Sequence, residues 1–155
     1  MQLASCRTQG KLQARTRPFV SIFPTKILLA TDGSKDAELA ATTAADLAKS
    51  TNSELHIVYV GFERYRDEAQ KELDTEVDMI RESGAQDIQA HLEFGIPDTA
   101  IIDLAEELRA GLIVMGSRGL GGVRRALLGS ISDSVVRHAP CPVLVVRQEE
   151  LENQR

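Results

Sequence analysis

The stretch MGSRGLGGVRRALLGSIS, Met115–Ser132, holds five of the eleven glycines in a chain of 155 residues. It follows the apolar run Leu112–Met115 and leads into SISDSVVRHA, residues 130–139, which reads as a helix. Bare backbone between a buried strand and a helix is what a phosphate cradle requires, and also what a plain mobile loop looks like. Two standard phosphate motifs fail on it. There is no GxxxxGK[ST] string, and GxGxxG started at Gly119 would put its third glycine at Arg124. What remains is Gly116-x-x-Gly119, nine residues, then Gly129-Ser130.

That spacing still suits an anion. Gly116 ends a strand, where a ligand could approach the backbone. Gly129 is expected to take positive φ and leave N–H groups exposed. Ser130 is expected to cap the next helix, or to turn its hydroxyl to the ligand, at an N-terminus that favours phosphate. Arg118, Arg124 and Arg125 add positive charge.

Outward from the loop, apolar runs alternate with helical patterns. KILLA (26–30), ELHIVYV (54–60), LIVMG (112–116) and PVLVV (142–146) are short and continuous, as expected of strands covered on both faces. DIQAHLEFG (87–95) alternates and reads as a strand nearer an edge. Between them, Ala40, Ala44, Leu47 and Ala48 share one helical face; so do Ala69, Leu73, Val77 and Ile80, and Ile101, Leu104, Ala105 and Leu108. Ser34 is placed to cap the first helix and Pro97 to open the third; Gly84 ends the second. The order β-α-β-α-β-α-β-α-β predicts a parallel sheet with helices on both faces. Its ligand crevice should lie at the carboxyl ends of the strands, at Asp32, Val60, Gly95 and Gly116.

Composition narrows the function. Four of the 18 basic side chains, Arg7, Lys11, Arg15 and Arg17, lie in residues 1–24, which hold no acid. The other 14 face all 23 acids, so the body carries −9. An acidic body with 4% aromatics disfavours a nucleic-acid footprint, though one small anion needs only local donors. No apolar run approaches a membrane span of roughly 20 residues. Cys6 and Cys141 form no metal-ligand or disulfide pattern, so a reduced, cytoplasmic setting is expected. Residues 1–24 read as a disordered extension, a mis-assigned start or a transit segment; residues 148–155 read as a polar tail.

Three motifs now carry a resemblance. KILLATDGS opens the domain, Gly116-x-x-Gly119-x9-Gly129-Ser130 follows the fourth strand, and RHAPCPVLVV closes it. Together they resemble the universal stress protein family, over roughly Thr25–Arg147. The resemblance implies a three-layer α/β/α sandwich with a five-stranded parallel sheet, Rossmann-like and of the adenine nucleotide alpha hydrolase-like kind. It further implies the ATP-binding branch, with a homodimer formed through the last strand (143–147). Carried over, Gly116, Arg118, Gly119, Gly129 and Ser130 would hold phosphates and ribose. Asp32 would face them, through Mg²⁺ or Mn²⁺ if a metal is present. Val60 would offer backbone groups to the adenine edge, and Ala30, Thr31, Met115 and Ile131 would line the pocket.

Asp32 alone reads first as a turn residue before Gly33, and its place after the first strand, facing the glycine loop, turns the reading towards the site. His56 and His91 read as strand residues, and His138 as a cation at a helix end. No nucleophile–base pairing emerges, and no Walker-type lysine is present. The expected activity is nucleotide-dependent regulation with slow or no hydrolysis. The alternatives are a weak Mg/Mn-dependent ATPase and a dimeric interaction protein that needs no nucleotide.

Overall fold

The computed structural model describes residues 20–120 and 127–148. The expected strand–helix alternation is present: β1 (Lys26–Thr31), α1 (Lys35–Thr51), β2 (Glu54–Gly61), α2 (Arg66–Glu82), β3 (Ile88–Phe94), α3 (Pro97–Leu108), β4 (Leu112–Gly116), α4 (Ser130–His138) and β5 (Val143–Val146). A short 3₁₀ turn, Glu63–Tyr65, precedes α2. All strand pairs are parallel, in the order β3-β2-β1-β4-β5. The order reverses at β1, whose neighbours are β2 on one side and β4 on the other. A crevice therefore opens between the carboxyl ends of β1 and β4, where the two crossovers leave in opposite directions.

The apolar runs are continuous because each strand feeds two cores. Ile27, Leu29, Leu55, Ile57 and Val114 pack with α1 and α2. Leu28, Ala30, Val58, Ile113 and Met115 pack with α3 and α4. Alternate residues of one strand thus serve opposite faces. The α1 face is built from Ala40, Ala41, Ala44, Ala45 and Ala48, so this helix lies close to the sheet. Ser34 caps α1 as expected, its Oγ accepting the Ala37 N–H at 3.3 Å. Asn52 ends α1 in the left-handed region. No helix among the described residues is long and apolar enough to cross a membrane.

His56 and His91 are strand residues, as expected, but they form a pair. His56 Nδ1 lies 3.0 Å from His91 Nε2, and His56 is 1% exposed. Burial is the main cause that lowers both imidazole pKa values. For His56 the Glu54 contact opposes this, while His91 and Lys26 add to it; for His91, Glu93 and Glu107 oppose it. Protons therefore bind the unfolded chain first. The contribution is full above about pH 6.5 and is lost as pH falls below it. Urea unfolding at pH 7.5 and 5.5 should show lower stability at the acid value. The His56→Gln/His91→Gln double variant should lose part of that slope, whereas equal slopes in both proteins would contradict the lowered imidazole pKa values.

Candidate functional site

The switch point holds a cavity of about 450 Å³, within the range of small-molecule sites. Its floor is apolar: Ala30 and Val58 from β1 and β2, Met115 from β4 and Ile101 from α3. Its rim is polar: Thr31 at the end of β1 with Asp32 and Ser34 after it, Arg118 and Gly119 after β4, and Gly129–Ser132 at the start of α4. All eleven site residues expected from the sequence line this one cavity: Ala30, Thr31, Asp32, Val60, Met115, Gly116, Arg118, Gly119, Gly129, Ser130 and Ile131. Residues 121–126, including Gly121, Gly122, Arg124 and Arg125, lie outside the described residues. So do the extension up to residue 19, with Cys6, and the tail from residue 149.

Each glycine does a different job from the one its sequence position suggests. A Cβ on Gly116 would lie 2.9 Å from Ala37 N and from Asp36 C and Cβ. The close approach that Gly116 permits is therefore that of the first turn of α1. A Cβ on Gly119 would strike Asp32 Oδ2. Gly129 corrects the expectation outright. Its φ is −72°, in the extended region, and its N–H donates to Ser117 O at 2.7 Å rather than standing free. It is also the N-cap of α4, making Ser130 the first helical residue rather than the cap. The reason is geometric: Ser132, buried two residues on, spans the cap with its Oγ 2.7 Å from Ser117 O and 3.1 Å from Gly129 O. Ser130 is left exposed on the rim, beside first-turn N–H groups that have no intrahelical acceptor.

Asp32 serves the turn and the loop together. Its Oδ1 accepts the Ser34 N–H at 3.0 Å and its Oδ2 accepts the Leu120 N–H at 3.1 Å. The carboxylate thus pulls the loop after β4 towards β1. Among the described residues, no group of three or more His, Cys, Asp or Glu side chains is arranged to hold a metal. A cation at Asp32 would need most of its ligands from elsewhere, phosphate oxygens being the suitable chemistry.

Two buried acids escaped the sequence reading. Asp36, 7% exposed in the first turn of α1, accepts the Ser117 hydroxyl at 2.7 Å and the Gln148 N–H at 3.1 Å. Arg118 Nε lies 3.8 Å from its Oδ2. Burial pushes the Asp36 pKa up, but the Ser117 and Gln148 hydrogen bonds and the Arg118 charge outweigh it and bring the value below that of an ordinary carboxylate. Glu76 on α2 lies behind Thr31 and Asp32, 6% exposed, with Oε1 unpartnered. Burial, then the charges of Glu38, Asp32 and Glu72, raise its pKa against a hydrogen bond from Thr31. Sequence offers a weak signal for each: an acid on the inward stripe of its helix, at Asp36 one position before Ala37 and at Glu76 between Leu73 and Val77. Val58 and Ile101 of the cavity floor were legible only as core.

Fold and cavity together define a doubly wound α/β domain with a polar-rimmed pocket at its topological switch point. The universal stress protein family model matches residues 24–147, and the chain belongs to that family. A Staphylococcus aureus (strain USA300) protein assigned to the same family is 40% identical over 141 residues, covering 81% of this chain and 85% of its own length. A universal stress protein solved in complex with cAMP superposes with a TM-score of 0.70 at 30% identity, over 81% of this chain and 98% of its own. A universal stress protein from Archaeoglobus fulgidus, solved in complex with dAMP, superposes with a TM-score of 0.65 at 27% identity, over 81% of this chain and 99% of its own.

Proposed function

We propose that this protein binds ATP in the switch-point cavity and acts as a nucleotide-dependent regulatory module, with slow or no hydrolysis. The observation that carries the reading is the convergence of Gly116, Arg118, Gly119, Gly129 and Ser130 on one cavity whose inner wall is apolar. An apolar slot suits a base, while an arginine and a helix N-terminus suit phosphates. The two relatives solved with adenine mononucleotides support the base preference. Gly116, Gly119, Gly129 and Ser130 hold phosphates and ribose, Thr31 and Ile131 line the pocket, and the Val60 backbone faces the adenine edge. Asp32 holds a divalent cation only through the phosphates, since both its oxygens already accept backbone N–H groups. Hydrolysis also needs a positioned water and a group to orient it. Asp32 is the one acid on the cavity rim among the described residues.

The chain forms a homodimer through β5 in this reading. Leu144 is 37% exposed on that edge strand and Val136 is exposed on α4 beside it. A second copy would cover both and remove an open edge. Its setting is cytoplasmic.

The test is to denature the purified protein, separate the released small molecules by chromatography, and titrate the stripped protein with ATP. Bound adenine nucleotide, or saturation below millimolar ATP, is expected. No released nucleotide together with no titration at millimolar ATP would sink the reading.

A further inference from the structure

We propose that Asp36 is a positioning residue that ties the nucleotide loop to the exit of β5, so that ATP bound at the loop orders residues 147–148. This rests on the ATP-binding reading above. Asp36 does not line the cavity. It stands where three segments distant in sequence meet, and from the first of them its carboxylate addresses the other two. From α1 it accepts the hydroxyl of Ser117, the residue just after β4, and the N–H of Gln148, two residues beyond β5. Arg118, which lines the cavity, brings its guanidinium to the same carboxylate.

The chain of contacts continues to the start of α4. Ser117 O accepts the Gly129 N–H and the Ser132 hydroxyl, each at 2.7 Å. A phosphate held by Arg118, Gly119 and the α4 N-terminus would fix Ser117 from both sides. A fixed Ser117 hydroxyl holds the Asp36 carboxylate in one rotamer, and that rotamer holds the Gln148 N–H. Asp36 is buried, so water competes poorly for any of these partners. Gln148 lies outside the cavity and at the edge of the sheet that would pair in a dimer. The coupling is reciprocal: whatever secures the β5 exit must also tighten ATP.

The experiment uses the full chain. Amide exchange at Gln148 should slow at least about fivefold on ATP addition in the wild type. In Asp36→Ala, ATP at saturating concentration should leave that rate unchanged. Gln148→Pro removes the N–H that Asp36 accepts and fixes φ at an exposed position past β5, where the preceding residue already leaves the strand, so folding is retained. It should lower the melting temperature modestly, since a buried carboxylate oxygen loses its donor, and weaken ATP about fivefold or more at temperatures where the variant is fully folded, which a merely structural Asp36 would not explain. Wild-type protein that binds ATP with no change at Gln148 overturns the inference, as does Gln148→Pro binding ATP like the wild type. Absence of ATP binding in the wild type is read from the titration alone. It overturns the functional proposal first and this one with it.

Discussion

Gly116→Ala is expected to lower stability by about 3 kcal/mol, the upper end for forcing one methyl into a packed site. The added Cβ would meet two backbone atoms and one Cβ of the α1 first turn at 2.9 Å, none of which is the movable end of a side chain. For a domain of this size that corresponds to a fall in melting temperature of roughly 6–12 °C. Gly129→Ala is the counterpart. Its Cβ would meet Arg118 Cα and Ser117 O at 3.5 Å, ordinary contact, and φ at −72° suits any residue. Its melting temperature should therefore move by only about 1 kcal/mol equivalent, the helix-cap change and the stiffer unfolded chain offsetting each other. ATP affinity should nevertheless drop at least about tenfold, because Gly129 lines the cavity beside Arg118 and Ser130, and a side chain there leaves less room for phosphate. Thermal unfolding and titration of both variants separate the glycine that seats a helix from the glycine that makes room for a ligand. Equal melting temperatures would refute the division.

Asp32→Asn should have opposite signs with and without a divalent cation. With Mg²⁺, loss of the carboxylate charge should weaken ATP by about 10–100-fold, the size of one charge-assisted interaction. In EDTA the same variant should bind ATP more tightly than the wild type, since a carboxylate beside phosphates repels them when no cation stands between. Asparagine keeps one side-chain oxygen, for either the Ser34 or the Leu120 N–H, so one of the two tethers is retained and the other lost in both buffers alike. Isothermal titration in the two buffers checks the reversal. A loss of affinity in both would make Asp32 a loop tether alone.

The five strands and four helices were legible because each carries a periodic signal that two covered faces enforce. The sheet needs Ile27 and Leu28 to be apolar for opposite reasons, and the run KILLA reports both at once. The Ala69-Leu73-Val77-Ile80 stripe survives in a strongly charged helix because all four are buried. The cavity was legible as a place, because parallel sheets put their crevice at strand ends. Its wiring was not. Gly129 looks like a positive-φ residue, and only the Ser117 and Ser132 bonds show that its N–H is spent. Asp36 looks like an acid placed for the helix dipole. Its burial depends on Ser117 and Gln148, which are 81 and 112 residues away. Tertiary partners at such separations leave no periodic trace.

The position of β1 has a consequence for how the molecule is made. It pairs with β2, which the ribosome delivers soon after, and with β4, which begins 81 positions beyond Thr31, at Leu112. A nascent chain therefore completes the β1–β2–β3 half while the other flank of β1 is still bare. Closing that flank is the entropically slow contact of the fold. The same closure brings Asp32 to Leu120 and Asp36 to Ser117. Until then the emerging polypeptide exposes Ile27–Ala30 along one open border, the surface a chaperone would recognise.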